Sequence, residues 1–384
     1  MILYSRLRNL LIIFAVLCTT RIYSQTQGEI PWPTLADSPW PMMSHDPQAT
    51  GRSPYVGPKT PNVIWTMDMP YGIWSGPAIG EDGTLYFGSN TYLDGVDTTN
   101  YFYAANPDGT LKWTYLTGDI MATNSGFLVG SDSTVYFGSQ SGVLHAVDLE
   151  GNRRWTYDVG LNIYSDIMNT DLQGNIYFPN TTGYLHSMNR NGELNWRINF
   201  NGGFRAASSV IAPDGQTIYV GGRDSNFYAL NLDGSVKWAF SCEAVWCNPM
   251  VDNEGNIYFA PRLHDPYVVY SLTQDGEIRW EYFLPDLTGL PALHSGFTMD
   301  KNGNIYFRIS DGICECSGIT SLDYYGNYRW TYLFDDPIDE VFVPLMCDAD
   351  GTIYCGSTWG NYYYAITKDG ELLWKLPLDG YWDD

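Results

Sequence analysis

The sequence predicts an all-β protein: a β-propeller of seven four-stranded antiparallel blades. Three matched positions carry this reading. A glycine followed four residues later by tryptophan recurs at Gly109/Trp113, Gly151/Trp155, Gly192/Trp196, Gly234/Trp238, Gly276/Trp280, Gly326/Trp330 and Gly370/Trp374. The steps run from about forty to fifty residues, the period of propeller blades. Five residues before each glycine stands a small residue: Ala104, Ala146, Ser187, Ala229, Ser271, Ser321 and Ala365. Upstream of each lies a tyrosine: Tyr86, Tyr136, Tyr177, Tyr219, Tyr258, Tyr306 and Tyr354.

Each unit reads as four short strands. The first is apolar and partly small, as in residues 76–80. A tight turn such as GEDGT or DLQGN follows, with Asp, Asn and Gly supplying turn geometry. The second strand carries the tyrosine and the third the small residue. A second glycine turn leads into a fourth strand such as LKWTY. Strands rich in Tyr, Phe, Val, Ile and Trp suit a pleated, half-buried surface. One such sheet cannot bury both faces alone, but radial packing covers each with its neighbours. The small residue is expected to let adjacent sheets approach. The tryptophan is expected to supply apolar contact between sheets, and its N–H needs an acceptor.

One propeller absorbs the whole length of 384 residues, and the net charge is −23, from 20 basic and 43 acidic residues. Such a surface repels nucleic acid and anionic lipid. Residues 1–24 read as a secretory signal. Arg6 and Arg8 form the charged end, residues 10–17 an apolar stretch too short to span a bilayer, and Ser24 a plausible cut. Removing the segment takes away Arg6, Arg8 and Arg21 and no acid, so the mature chain is more acidic still. The organisation expected is a signal peptide over 1–24, a Pro-rich lead-in over 25–61 and one propeller domain over 62–384. The protein is expected to be secreted or periplasmic, monomeric and without a membrane span.

The lead-in contains SPWPMMSHDPQATGRSPYVGP at residues 38–58. With the seven Gly-x-x-x-Trp units, this segment resembles the secreted bacterial proteins of the pyrroloquinoline quinone (PQQ)-like β-propeller repeat family. There a W-P-M-x-x-H-D-x-Q-x-T-G-R-S motif commonly precedes the propeller. Here it reads Trp40, Pro41, Met42, His45, Asp46, Gln48, Thr50, Gly51, Arg52 and Ser53. The resemblance covers roughly residues 38–378 and implies the fold. It does not imply an activity, since many members bind no quinone. His45, Asp46 and Arg52 invite a functional reading. The competing expectation is that the segment packs across the propeller or plugs its channel, with these side chains satisfying backbone groups.

Residues 62–69, NVIWTMDM, resemble a fourth strand carrying Trp65, yet no three strands precede it. Either this strand joins the last blade near residues 371–378, or it belongs to an incomplete eighth blade. Seven tyrosine strands favour seven blades. The units differ in length where function usually resides. From tyrosine to tryptophan units two, three and four take 19 residues, whereas units one, five, six and seven take 27, 22, 24 and 20. The extra residues fall at 89–100, 262–266 and 310–318, and the connection at 282–294 is also long. These loops share one face and gather around units six, seven and one, the default binding surface.

Aligning the units places Trp74, Asn124, Ser165, Arg205, Trp246, His294 and Phe342 at the channel mouth on that face. Two tryptophans, an arginine and a histidine around one opening can stack a sugar or another planar ligand. The alternative is inner-rim packing, because a pocket needs convergence. Beyond Cys18, six cysteines remain: Cys242, Cys247, Cys314, Cys316, Cys347 and Cys355. An even count in an exported chain allows disulfides. Cys242 and Cys247 flank one loop and can pair, while Cys347 and Cys355 read as out of register. Acidic turns such as residues 348–351 suggest calcium, but a cation needs six or more converging oxygens. Asx-type β-turns explain them better.

Quinone-dependent dehydrogenases related to the family hold PQQ in an eight-bladed propeller with calcium and a catalytic aspartate, and several carry a disulfide between adjacent cysteines. This chain has no adjacent Cys-Cys, no C-x-x-C-H and seven complete units. No nucleophile elbow is visible, and acidic residues are too numerous to single out a glycosidase pair. The sequence therefore points to an exported, non-catalytic binding or scaffold propeller without a cofactor, engaging a protein or polysaccharide through one loop face. The alternatives are a PQQ/calcium-dependent oxidoreductase and a carbohydrate-binding or glycan-active propeller using Trp74 and Trp246.

Overall fold

Each repeat folds back on itself at its two Gly turns, so its strands pair in simple sequential order. The computed structural model describes residues 26–377 apart from 70–72, 74–75, 90–100, 118–125, 140, 161–162, 164–166, 201–207, 246, 262–266, 285–295, 312–315, 336–344 and 357–361. Seven four-stranded antiparallel sheets result, with no helix among the described residues. The protein is a seven-bladed β-propeller. Blade 1 comprises Ala78–Ile79, Leu85–Gly88, Tyr101–Ala105 and Leu111–Leu116. Blades 2 to 7 end on Arg153–Asp158, Leu194–Asn199, Val236–Ser241, Ile278–Phe283, Tyr328–Leu333 and Leu372–Pro377.

The three matched positions stand in one row across each blade. In blade 1 Ala104 faces Tyr86 on one side and Trp113 on the other, and Ser271 stands likewise between Tyr258 and Trp280. The small side chain lets the two rings lean over it, with centroids 5.7–5.9 Å apart in every blade. Its role is thus within a blade, where the sequence suggested a role between blades. A bulge follows the small residue in every blade, as at Ala104/Ala105, and adds local twist.

The tryptophan joins blades. Trp113 lies against Gly151 of the next blade and donates its indole N–H to Leu149 O at 2.8 Å. The pattern repeats through Trp155, Trp196, Trp238, Trp280 and Trp330. The glycine therefore meets two demands at once. Its φ is near +85°, and a Cβ there would lie about 2.6–3.0 Å from the ring of the preceding blade, so no other residue fits.

The first turns are Asx turns. Asp171 Oδ1 accepts from the Gln173 and Asn175 N–H groups, and Oδ2 from the Tyr177 hydroxyl at 2.7 Å. Asp252, Asp300 and Asp348 do the same with Tyr258, Tyr306 and Tyr354. These carboxylates are committed to backbone and tyrosine. A basic residue before the tryptophan then ties the outer strand inward. Lys112 reaches Thr84, Arg154 Thr134 and Lys237 Thr217. Where the small residue is serine, Arg279 reaches Ser271 and Arg329 Ser321. Blade 7 has Leu373 at that position. There Lys59 of the lead-in substitutes, bonding Asp348 and Thr352 at 3.3 Å each.

Closure of the ring departs from this regularity. Trp374 of blade 7 donates to Pro58 O at 3.0 Å instead of to blade 1. Trp65 packs on Gly109 of blade 1 and donates to Pro107 O at 2.9 Å. Residues 58–65 thus bridge one extra rung of the tryptophan ladder between blades 7 and 1. Residues 62–69 do not add to the last blade as a strand. They lie in no sheet, because the rung they occupy stands apart from the outer strand of blade 7.

Candidate functional site

The lead-in fills the channel. Residues 27–36 lie across the first-turn face, where Thr34 bonds Ser131 N and Asp171 O and Gln27 bonds Asn253 N and Lys301 O. Residues 40–53 then circle inside, one blade after another. Trp40 O accepts from Ile79 N of blade 1, and Pro41 O from Val129 N of blade 2. Pro47 O accepts from Asn169 Nδ2 and Ile211 N, Gln48 O from Val251 N and Thr50 O from Met299 N. Gly51 O accepts from Cys347 N of blade 7. The innermost strands of all seven blades are engaged, which satisfies backbone groups that burial would otherwise leave costly. Met42, Gln48, Ala49 and Thr50 are buried.

His45, Asp46 and Arg52 serve this plug. Four residues take positive φ, namely Ser44, His45, Ala49 and Gly51. Asp46 pins that turn by accepting from Thr50 N at 2.9 Å and from the Thr50 hydroxyl. Burial pushes the Asp46 carboxyl up, but its bonds to His45 and Thr50 outweigh this and hold it below the usual carboxylate value. Arg52 is buried, with Nη2 on Gly28 O at 2.6 Å. Asp46→Ala is expected to cost about 1–2 kcal/mol, read as a lower denaturant midpoint with new protease cuts within residues 44–51.

The expected channel-mouth residues Trp74, Asn124, Ser165, Arg205, Trp246, His294 and Phe342 all lie outside the described residues. So do residues 90–100, 262–266 and 285–294 of the long loops. The Cys242–Cys247 disulfide does not form in the structure, and both thiols are free. Cys242 is half-buried, whereas Cys247 turns into the core and exchanges bonds with Ala260 N and O at 3.2 Å. Burial pushes each thiol up to about 12. Cys347 and Cys355 are not bonded to each other, because Cys347 stands opposite Ile353 and Cys355 opposite Tyr364.

A cavity opens where the ring is bridged. The buried core is continuous from blade 1 to blade 2, through blades 2 to 6, and from blade 6 to blade 7, but among the described residues no cluster joins blade 7 to blade 1. In that seam lies a cavity of about 700 Å³, within the size range of ligand sites. Trp40 and Tyr55 of the lead-in, Pro77 and Ile79 of blade 1, and Met346 and Tyr363 of blade 7 line it. Ser44 and Ser53 contribute hydroxyls, and none of its lining residues is charged. The plug positions one wall, since Trp40 O holds Ile79 N at 2.7 Å and the Trp40 ring meets His45 at 5.0 Å. The sequence does not name these residues. The signal that marks the place is a fourth strand at 62–69 with no partners before it. Among the described residues, no group of three His, Cys, Asp or Glu side chains converges to hold a cation.

Solved structures share this architecture. The chain superposes on the quinohemoprotein alcohol dehydrogenase of Comamonas testosteroni with a TM-score of 0.69, at 14% identity, over 89% of this chain and 74% of that one. What the two share is the β-propeller fold. A europium-containing methanol dehydrogenase matches this propeller at TM-score 0.64 and 13% identity, covering 89% and 86% of the two chains. BamB of Moraxella catarrhalis matches at 0.51 and 18%, covering 64% and 70%. At these identities the likeness concerns fold alone. Residues 134–260 of the propeller match the family model of the lambda-carrageenase beta-propeller domain. No curated protein sequence matches.

Proposed function

We infer that this chain is an exported, non-catalytic binding propeller whose binding site is the seam between blades 7 and 1. The observation that carries the reading is the uncharged, aromatic-lined cavity of about 700 Å³ at that seam. Apolar surface in such a cavity favours an apolar occupant by roughly 25 cal/mol per Å² buried. The signal-like residues 1–24 support export, and the fold shared with BamB supports a protein-binding role.

A PQQ/calcium-dependent oxidoreductase fits the described residues poorly. The lead-in occupies the inner strands of every blade, and the acidic turns are committed to backbone N–H groups. The carbohydrate reading has the lambda-carrageenase match in its favour. Carrageenans are sulfated polyanions, and a chain of net charge −23 repels them, so a neutral glycan is the form in which this reading survives.

Titration of the mature protein with Nile red, a neutral apolar dye, tests the seam. Saturable binding at one site with micromolar affinity is expected, and Ile79→Trp, which fills the cavity, is expected to weaken it at least ten-fold. Dye binding indifferent to Ile79→Trp overturns the assignment. A neutral oligosaccharide that binds Ile79→Trp as well as wild type shifts the function to the loop face.

A further inference from the structure

We propose that the seam is a vacant blade position, and that its occupant is a β-segment of a partner protein. The segment would supply the inner strands of an eighth blade to the outer strand at residues 62–67. This rests on the seam being the binding site, and it names the class of ligand.

The tryptophan ladder defines the vacancy. Blades 1 to 6 each give their fourth-strand tryptophan two neighbours, a tyrosine of the same blade's second strand and a glycine of the next blade. Trp65 has the second, Gly109, and the carbonyl that goes with it. It lacks the first, for no aromatic ring faces it among the described residues. Trp65 is 37% exposed. Trp65 is placed as on the last strand of a blade whose first three strands are absent among the described residues.

The backbone tells the same story. The backbone N–H and C=O groups of residues 63–67 make no hydrogen bond with other main-chain groups among the described residues. Val63 and Ile64 are exposed, Ile64 at 92%. An outer strand with open N–H and C=O groups is a template for β-augmentation. In the same seam the apolar cavity is lined by Ile79 of the first strand of blade 1 and by Met346 and Tyr363 of the first and third strands of blade 7. Unpaired edge outside and apolar slot inside are two parts of one blade-shaped site.

The partner's chemistry follows from what the slot lacks. Its second strand should carry an aromatic residue to meet Trp65, and its third a small residue to let the two rings approach, as Tyr86, Ala104 and Trp113 do in blade 1. It should be neutral or basic, given a net charge of −23. The affinity would come from main-chain pairing, and the selectivity from the aromatic residue.

The experiment uses the wild-type mature protein and a synthetic peptide with the sequence of residues 127–148, the first three strands of blade 2. Hydrogen exchange is followed at residues 62–67. The peptide is expected to slow exchange there at least ten-fold, to saturate, and to displace Nile red. The same peptide with Tyr136→Ala is expected to lose most of that protection, because it cannot face Trp65. Dye displacement without protection of residues 62–67 overturns blade completion while leaving the seam a site for small apolar ligands. Equal protection by the Tyr136→Ala peptide overturns the aromatic requirement on which the argument stands. Protection that rises with protein concentration in the absence of peptide assigns the edge to a second copy of this chain and overturns the proposal.

Discussion

Gly326→Ala is expected to destabilise the protein by about 3 kcal/mol or more. The glycine sits at φ +83°, and an added Cβ would lie 2.6 Å from the Trp280 ring of the preceding blade. The left-handed conformation alone costs alanine roughly 1–2 kcal/mol, and overpacking a fixed neighbour adds about 1–3. The indole cannot retreat cheaply, for its N–H is held on Tyr324 O at 3.1 Å and Tyr258 backs the ring at 5.8 Å. Gly160 separates the two effects. Its φ is +84° and nothing lies within 4 Å of the place a methyl would take, so Gly160→Ala should show the conformational cost alone. Guanidinium midpoints of the two variants against wild type check this. Equal shifts would mean that the ladder contact is slack.

Acid is expected to weaken the fold steeply between pH 6.5 and 4. His145 is buried in a stack with Phe137, centroids 5.1 Å apart, and His186 in a stack with Phe178 at the same distance. Burial, with Arg153 nearby, lowers His145 to about 4, and burial, with Arg197 nearby, lowers His186 to about 4. In the unfolded chain both titrate near 6.5. Between these values the unfolded chain binds protons that the folded one refuses. Stability is therefore full above pH 6.5 and falls as pH drops toward 4, by roughly 3 kcal/mol per histidine over that span. Carboxylates held low, such as Asp82 at about 2, where hydrogen bonds from Lys112 and Thr84 outweigh the upward push of burial, act mainly below that window. Denaturant midpoints measured from pH 7.5 to 4 should show the slope, and His145→Phe with His186→Phe should flatten it. An unchanged slope in the double variant would mean that the imidazoles titrate normally.

The repeats were legible because each is held by contacts within one stretch of chain. Tyrosine, small residue and tryptophan stand opposite one another on successive strands, so their spacing reads directly as register. The Asp-Gly turns were legible for the same reason, each carboxylate capping backbone two and four residues on. The role of the small residue was misplaced, because spacing shows which positions recur and not which sheet faces them. The plug was legible as one of two choices. Its motif announces dense polar contacts, and the channel supplies them through the first strands of seven blades. The Cys242–Cys247 pairing failed because closeness in sequence says nothing of side-chain direction. Cys247 turns inward to Ala260.

By itself, then, the sequence determined the blade, its count and the ladder chemistry of Trp and Gly, since these depend on local periodicity repeated seven times. The tertiary structure alone decided how the ring closes. Trp374 meets Pro58 across 316 residues, and Trp65 meets Pro107 only once blade 1 stands beside it. Whether seven sheets leave a seam depends on the sum of their packing angles, a global quantity that no single repeat encodes. The apolar cavity, the open edge at residues 62–67 and the binding role argued from them all follow from that closure.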